Sequence, residues 1–104
     1  MIPLANDARA IRKFAKEQAE AYKDCFCWYS EEKYVRGFAR RHFETVCAIN
    51  EEENDIKISK KNIKLFIDTF TELQLNNIYY MKQEHNKKEK AEIKKKGIRR
   101  KKGD

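Results

Sequence analysis

The chain has 104 residues, of which 39% are charged, and a formal net charge of +7 at pH 7. This length accommodates one domain with a modest core, and three glycines with one proline are too few for the many turns of a β-sandwich or barrel. The absence of an apolar run of about 18 residues excludes a transmembrane helix.

The positive charge is concentrated at one end of the sequence. Residues 1–81 carry 13 basic and 13 acidic side chains, whereas residues 82–104 carry 11 basic and 4 acidic ones. We therefore divide the chain into a predicted bundle, 1–81, and a basic segment, 82–104. A charge excess confined to one end indicates a polyanionic partner, such as nucleic acid, an acidic membrane surface or an acidic protein.

The first predicted helix spans residues 7–29. Its apolar residues recur at spacings of three and four, which is typical of an amphipathic helix with one buried face. Asn6 is the predicted N-cap residue, and Asp7 suits the positive end of the helix dipole. The predicted buried face consists of Ile11, Ala15, Gln18, Tyr22, Cys25 and Tyr29, and it is widened by Ala8, Phe14 and Phe26.

The second predicted helix spans residues 31–50, with Ser30 as its N-cap residue. Glu31 and Glu32 would then lie at the positive end of its dipole. The apolar pattern fades in "NEEEND", residues 50–55, which we interpret as a helix end followed by a loop. The predicted buried face consists of Tyr34, Val35, Phe38, His42, Val46 and Ile49.

The third predicted helix spans residues 60–81 and follows Ser59 as the N-cap residue. It is apolar on two sides, so it either lies between the other two helices or presents one side to another molecule. Asn77 interrupts the main face, either as a polar group bonded within the bundle or as a determinant of register and oligomeric state. The main face is Ile63, Phe66, Phe70, Leu73, Asn77, Tyr80 and Met81, and the second is Leu65, Leu75 and Tyr79.

Beyond Met81 the apolar pattern stops, but the helix can continue. Glu84 with Lys88, and Glu92 with Lys96, are favourable pairs at a spacing of four, and Gly97 suits a helix end. The predicted fold is therefore all-α: an antiparallel three-helix bundle with a basic C-terminal helical extension and a disordered tail after Gly97. The helices are too long to favour a compact helix-turn-helix unit.

No residue pattern indicates catalysis, a cofactor or a bound metal. Cys25, Cys27, His42 and Cys47 have the side chains of a zinc site, but the predicted helices separate them along the bundle. His42 is interpreted as a histidine at the core boundary, because no nucleophile motif accompanies it. The "EEEND" stretch lacks the spacing and glycine of a calcium loop. We expect a protein without enzymatic activity or a small-molecule substrate.

The first functional hypothesis is nucleic-acid binding through the basic segment. Lys and Arg release counterions from the phosphate backbone, which gives affinity independent of base sequence. Tyr79 and Tyr80, just before the segment, are candidates for base stacking or for core packing. A purely solubilising tail is the plain alternative. The predicted contact residues are Lys87, Lys88, Lys90, Lys94, Lys95, Lys96, Arg99, Arg100, Lys101 and Lys102.

The second hypothesis is a protein that blocks or adapts a nucleic-acid-handling complex through its helical surface, as small phage or mobile-element inhibitors do. Self-association is compatible with both hypotheses, whereas membrane binding is disfavoured because the basic segment has few bulky apolar residues. Three cysteines without a disulfide pattern and no signal-peptide stretch predict an intracellular, cytoplasmic location. The predicted partner-binding residues are Leu65, Leu75, Tyr79, Arg36 and Arg40.

Overall fold

A computed structural model of the chain describes the backbone of residues 1–103 and the side chains of residues 1–91. It confirms the all-α prediction, since the described backbone contains no strand. The α-helices are α1, Ala8–Ala21; α2, Glu32–Asn54; and α3, Lys60–Gly103. A short 3-10 helix, Lys23–Cys25, follows α1. Among the described residues, no helix offers an apolar stretch long enough to cross a membrane.

The three helices pack around one core, in which aromatic rings from all three meet. Phe43 of α2 and Phe66 of α3 are stacked, with ring centroids 4.0 Å apart and planes 5° apart. Phe14 of α1 lies against both, at 6.2 and 5.8 Å. Small residues, Ala15 and Ala39, are fully buried beside these rings and let the helices approach closely.

The predicted first helix ends eight residues early, at Ala21. After the 3-10 turn the backbone becomes extended at Phe26, whose side chain is buried against Phe38 and Phe70. Cys25 and Tyr29, predicted to be buried, are exposed instead. The chain leaves the helix because burying Phe26 under α2 and α3 stabilises the fold more than a further turn of helix would.

The helix caps differ from the prediction at two of three N-termini. Asp7, not Asn6, caps α1, where its carboxylate accepts from the Arg9 N–H. At α2 the cap is Glu31, whose side chain makes no capping bond. The predicted Ser59 cap of α3 is confirmed, because its hydroxyl accepts from the Asn62 N–H at 3.3 Å.

The "NEEEND" stretch continues α2 to Asn54 rather than forming a loop. Asp55, with φ 57° and ψ 35°, ends the helix in the left-handed conformation. Asn50 is fully buried there: its amide oxygen accepts from the Leu4 N–H, and its amide nitrogen donates to the carbonyls of Leu4 and Ile56. Asn50 therefore fixes the N-terminal segment and the α2–α3 connection to the same helix end.

Helix α3 packs against both α1 and α2, in agreement with the first of the two predicted arrangements, and α1 also contacts α2 through side chains. Leu65 and Leu75 are half-buried against the core, so the second apolar face of α3 is largely used within the molecule. Gln74 is fully buried and donates from its amide to the Ala19 carbonyl at 2.7 Å. Asn77 is half-buried, whereas Tyr80, predicted to be buried, is exposed. On α2, Tyr34 and Ile49 are also exposed rather than buried.

The helix α3 passes through Gly97 and includes residues 98–103, which were predicted to be unstructured. A single glycine costs a helix only about 1 kcal/mol relative to alanine, and the flanking Lys, Arg and Ile residues are compatible with helix. Gly97 is therefore not the end of the helix. The predicted Glu92–Lys96 pair lies outside the described side chains.

Candidate functional site

Exposed aromatic side chains gather at the end of the bundle where α3 leaves it. Tyr29 and Tyr80 are 70% and 68% exposed, Tyr79 is 57% exposed and Trp28 is 38% exposed. Tyr79 and Tyr80 contact each other edge to face at 5.8 Å, as do Trp28 and Tyr29 at 5.3 Å. Four large aromatic side chains exposed side by side mark a candidate binding surface.

Trp28 connects this surface to the basic segment. Its indole is stacked on the imidazole of His85, with ring centroids 4.0 Å apart and planes 13° apart. Trp28 and Tyr80 line one open groove of about 440 Å³, which we call the Trp28 groove. Its remaining lining residues are Cys27, Met81, Glu84, His85 and Lys88.

Local backbone geometry explains the position of Trp28. Buried Phe26 fixes the start of the connection between α1 and α2, and Ser30 closes a turn behind it. The Ser30 N–H donates to the Cys27 carbonyl at 2.9 Å, and the Ser30 hydroxyl accepts from the Cys27 N–H at 2.9 Å. Trp28 therefore lies at the tip of the turn, facing the part of α3 that carries His85.

The described part of the basic segment presents its lysines to solvent. Lys82, Lys87, Lys88 and Lys90 are exposed on α3. Glu84 contacts Lys87 at 3.8 Å, where the prediction paired it with Lys88. Lys88 instead lines the Trp28 groove. The other predicted contact residues lie outside the described side chains: Lys94, Lys95, Lys96, Arg99, Arg100, Lys101 and Lys102.

The residues predicted to bind a protein partner do not all lie on one surface patch, although Arg36 and Leu75 line the same groove between α2 and α3. Leu65 and Leu75 pack against the core, and Tyr79 belongs to the aromatic end. Arg36 bonds Asp68 at 2.8 Å and approaches Glu32 at 3.8 Å. Arg40 is exposed and lines a separate groove between α2 and α3, together with Arg36, Lys60, Ile63, Lys64, Ile67 and Asp68.

His42 is held at the core boundary. Its Nε2 and the Gln18 Oε1 are 2.6 Å apart, and since the amide oxygen can only accept, the imidazole donates. The ring also meets Tyr22 edge to face at 4.7 Å. Burial lowers the pKa of His42, which favours the neutral imidazole. These contacts give His42 a packing role.

The three cysteines are free and differ in their surroundings. Burial, with Glu44 and Glu51 nearby, raises the pKa of Cys47 to about 11. Hydrogen bonds from Tyr29 and Ser30 lower the pKa of Cys27. Within the part of the chain that the structure describes, no three His, Cys, Asp or Glu side chains converge as metal ligands.

A scan of the chain against protein-family models and searches of curated proteins and of solved structures each found no match. The site is therefore interpreted from its own geometry. Sequence reasoning named the lysines as contact residues and the Tyr79–Tyr80 pair as candidates for stacking or core packing, but it missed Trp28 and its contact with His85. The available signal was the single tryptophan of the chain, two residues before the turn residue Ser30.

Proposed function

We propose that this protein is a non-enzymatic nucleic-acid-binding protein that binds the phosphate backbone through the basic segment, residues 82–104. The observation that carries the proposal is the location of the charge: residues 1–81 are balanced, and the whole excess of +7 lies after Met81. In this proposal, an antiparallel bundle supports a basic helical extension. Two contacts support the antiparallel arrangement of α1 and α2. Leu4, before the start of α1, bonds Asn50 near the end of α2, whereas Tyr22, after the end of α1, contacts Phe38 in the first half of α2.

The shape of the molecule suits this function. The long axis measures 73 Å against 21 and 20 Å for the others. Lys82, Lys87, Lys88 and Lys90 are exposed at intervals along α3 and around it, so this helix offers phosphates positive charge over its length. Because these contacts read only charge and spacing, we expect binding to any base sequence. An intracellular location belongs to the same proposal.

The test compares the full-length protein with a variant of equal length in which the ten predicted contact residues are changed to glutamine. Glutamine matches lysine and arginine in helix propensity, so only the charge is lost. We expect the variant to lose binding to a labelled oligonucleotide in fluorescence anisotropy while its melting temperature is nearly unchanged. Undiminished binding would contradict the proposal. The changed residues are Lys87, Lys88, Lys90, Lys94, Lys95, Lys96, Arg99, Arg100, Lys101 and Lys102.

A second candidate function is capture of a protein that handles nucleic acid, in the manner of phage or mobile-element inhibitors. The groove between α2 and α3 supports it, because Arg40, Lys60 and Lys64 surround the apolar side chains of Ile63 and Ile67. Such a groove fits an acidic segment that carries apolar residues. Tyr79, exposed, and Leu75, half-buried, extend the candidate surface along α3.

A pull-down from native cells, repeated after nuclease treatment, separates the two candidates. Loss of every partner after the treatment supports nucleic-acid binding, whereas a stoichiometric protein that remains bound supports the second function. Leu75→Ser with Tyr79→Asp should then release that protein. Tyr34→Asp, at an exposed tyrosine that lines neither groove between α2 and α3, is the matched control and should retain it.

A further inference from the structure

We propose that the Trp28 groove receives an unpaired nucleobase, so that the protein prefers single-stranded nucleic acid to duplex. This inference rests on the proposed function, because the lysines that hold the phosphates also bring the strand to the groove. Charge alone does not distinguish single-stranded from double-stranded nucleic acid, whereas stacking of an unpaired base in the groove does.

The groove has the surfaces that base stacking uses. His85 covers one face of the Trp28 indole, at 4.0 Å, and this contact orients the ring while leaving 38% of the side chain exposed. Tyr80 lines the same groove and is 68% exposed. A flat base stacks on such rings irrespective of its identity, because every base has a π face.

The charges around the groove match a nucleotide. Lys88 is part of the groove wall. Lys82 and Lys87 are exposed on α3 and directly adjoin, in sequence, the lining residues Met81 and Lys88. The acidic residue in the wall, Glu84, is partly neutralised by Lys87 at 3.8 Å. A base on the rings would therefore have its own phosphates within reach of cations, as in other single-strand sites.

A duplex cannot use the groove in this way. Its bases are already stacked on one another and paired, so their faces are not available to Trp28 or Tyr80 without the energy of flipping a base out. Its phosphates meet the same lysines as those of a single strand. Single strands should therefore bind more tightly than duplex by the free energy of stacking on Trp28 and Tyr80.

Other occupants fit the groove less well. A second copy of this chain would bring two lysine-rich segments together, which is unfavourable. A lipid surface usually receives leucine, phenylalanine or isoleucine as well as aromatic residues. Here the one aliphatic side chain in the groove wall, Met81, is half-buried.

The experiment uses tryptophan fluorescence of the full-length protein, which reports this site alone because Trp28 is the single tryptophan. Oligothymidylate of about 20 nucleotides and a duplex of the same length serve as ligands. We expect single strands to quench Trp28 and duplex to leave its emission almost unchanged. In anisotropy, Tyr80→Ala should weaken single-strand binding roughly tenfold, with duplex binding unaltered.

Two further variants separate stacking from other effects. Tyr80→Phe keeps the ring and should retain single-strand affinity. Tyr34→Ala removes another exposed tyrosine at the same end that does not line the groove, and it should behave as wild type. Melting temperatures of all variants verify that each remains folded.

The outcomes distinguish this inference from the proposed function. Equal binding of both ligands, with no effect of Tyr80→Ala, overturns the single-strand preference and leaves phosphate binding standing. No binding of either ligand overturns both. A shift of Trp28 emission caused by protein concentration, or by anionic phospholipid vesicles, without binding of oligonucleotide would assign the groove to a second copy or a membrane instead.

Discussion

Trp28, in the connection between α1 and α2, is stacked face to face on His85 of α3 with ring centroids 4.0 Å apart. The contact joins the α1–α2 connection to the first part of the basic segment. Because the imidazole covers one indole face, the position of Trp28 depends on α3 remaining helical beyond Met81. The aromatic and basic parts of the proposed site are therefore one structural unit.

Removal of the His85 ring should free the indole. We expect His85→Ala to shift Trp28 emission to longer wavelength, because water replaces the imidazole on one indole face. Stability should fall by no more than about 1 kcal/mol, as is typical of one aromatic pair at a partly exposed position. Asn86→Ala, at the next and exposed position, is the matched control. Unchanged emission in His85→Ala would show that the two rings do not stack in solution.

Asn50 should be a major determinant of stability. Asn50→Ala removes the partners of the Leu4 N–H and of the carbonyls of Leu4 and Ile56. Buried groups left without partners make this change cost about 2–4 kcal/mol, measured by urea unfolding. Asn76→Ala, on an exposed face of α3, should change stability little. An equal effect of the two substitutions would contradict the buried role of Asn50.

Gln74 should tolerate a carboxyl group only when it is protonated. Its amide nitrogen donates to the Ala19 carbonyl, and its amide oxygen is buried without a partner. In Gln74→Glu, burial and the facing carbonyl raise the pKa of the new carboxyl in the folded state. The folded protein then holds a proton that the unfolded chain releases above its ordinary pKa.

The sign of the pH dependence follows from that retained proton. The stability of Gln74→Glu relative to wild type should be highest below the ordinary glutamate pKa and should fall as pH rises through the window up to the raised value. Denaturant unfolding at several pH values measures this difference. Gln83→Glu, at an exposed position, should show no such trend, and an identical trend in both variants would sink the interpretation.

The cysteines should differ in reactivity. Because burial raises the pKa of Cys47 to about 11, its thiol is almost entirely protonated at pH 8, whereas Cys27, whose pKa is lowered, holds more of the reactive thiolate. Iodoacetamide should therefore modify Cys27 before Cys47, as followed by peptide mass spectrometry.

A variant tests whether the hydrogen bonds of Ser30 cause the higher reactivity of Cys27. Ser30→Ala removes a hydroxyl that bonds both the N–H and the sulfur of Cys27. It should slow modification of Cys27 and leave exposed Cys25 unaffected. Modification of Cys47 as fast as Cys27 in the wild type would show that the thiol of Cys47 is not buried.

The core of the fold could be predicted from the sequence where apolar spacing alone decides. Phe66 and Phe70 lie on the predicted face of α3, and both are fully buried. The end of α1 could not be predicted in this way, because Cys25 and Tyr29 continue the helical spacing. The chain leaves the helix to bury Phe26 beneath α2 and α3, and those neighbours come later in the sequence.

Buried polar residues were missed for a related reason. Asn50 begins a run of polar and charged residues, and it is buried because the segments that contain Leu4 and Ile56 pack over it and bond its amide. For the candidate site, charge selected the basic segment, of which Lys82, Lys87, Lys88 and Lys90 are exposed on α3. The Trp28 groove forms because α1 ends early and Trp28 then lies opposite His85. This contact joins residues far apart in the sequence, so no local sequence pattern predicts it.

The most direct test of the central claim is the salt dependence of oligonucleotide binding by the full-length protein. Affinity of the wild type should fall steeply and log-linearly with salt, because phosphate contacts release counterions. Changing Lys87, Lys88 and Lys90 to glutamine should reduce the slope for single strands by about 2, at about 0.7 per contact. Binding that is insensitive to salt, or a slope that these changes leave unaltered, would contradict the account.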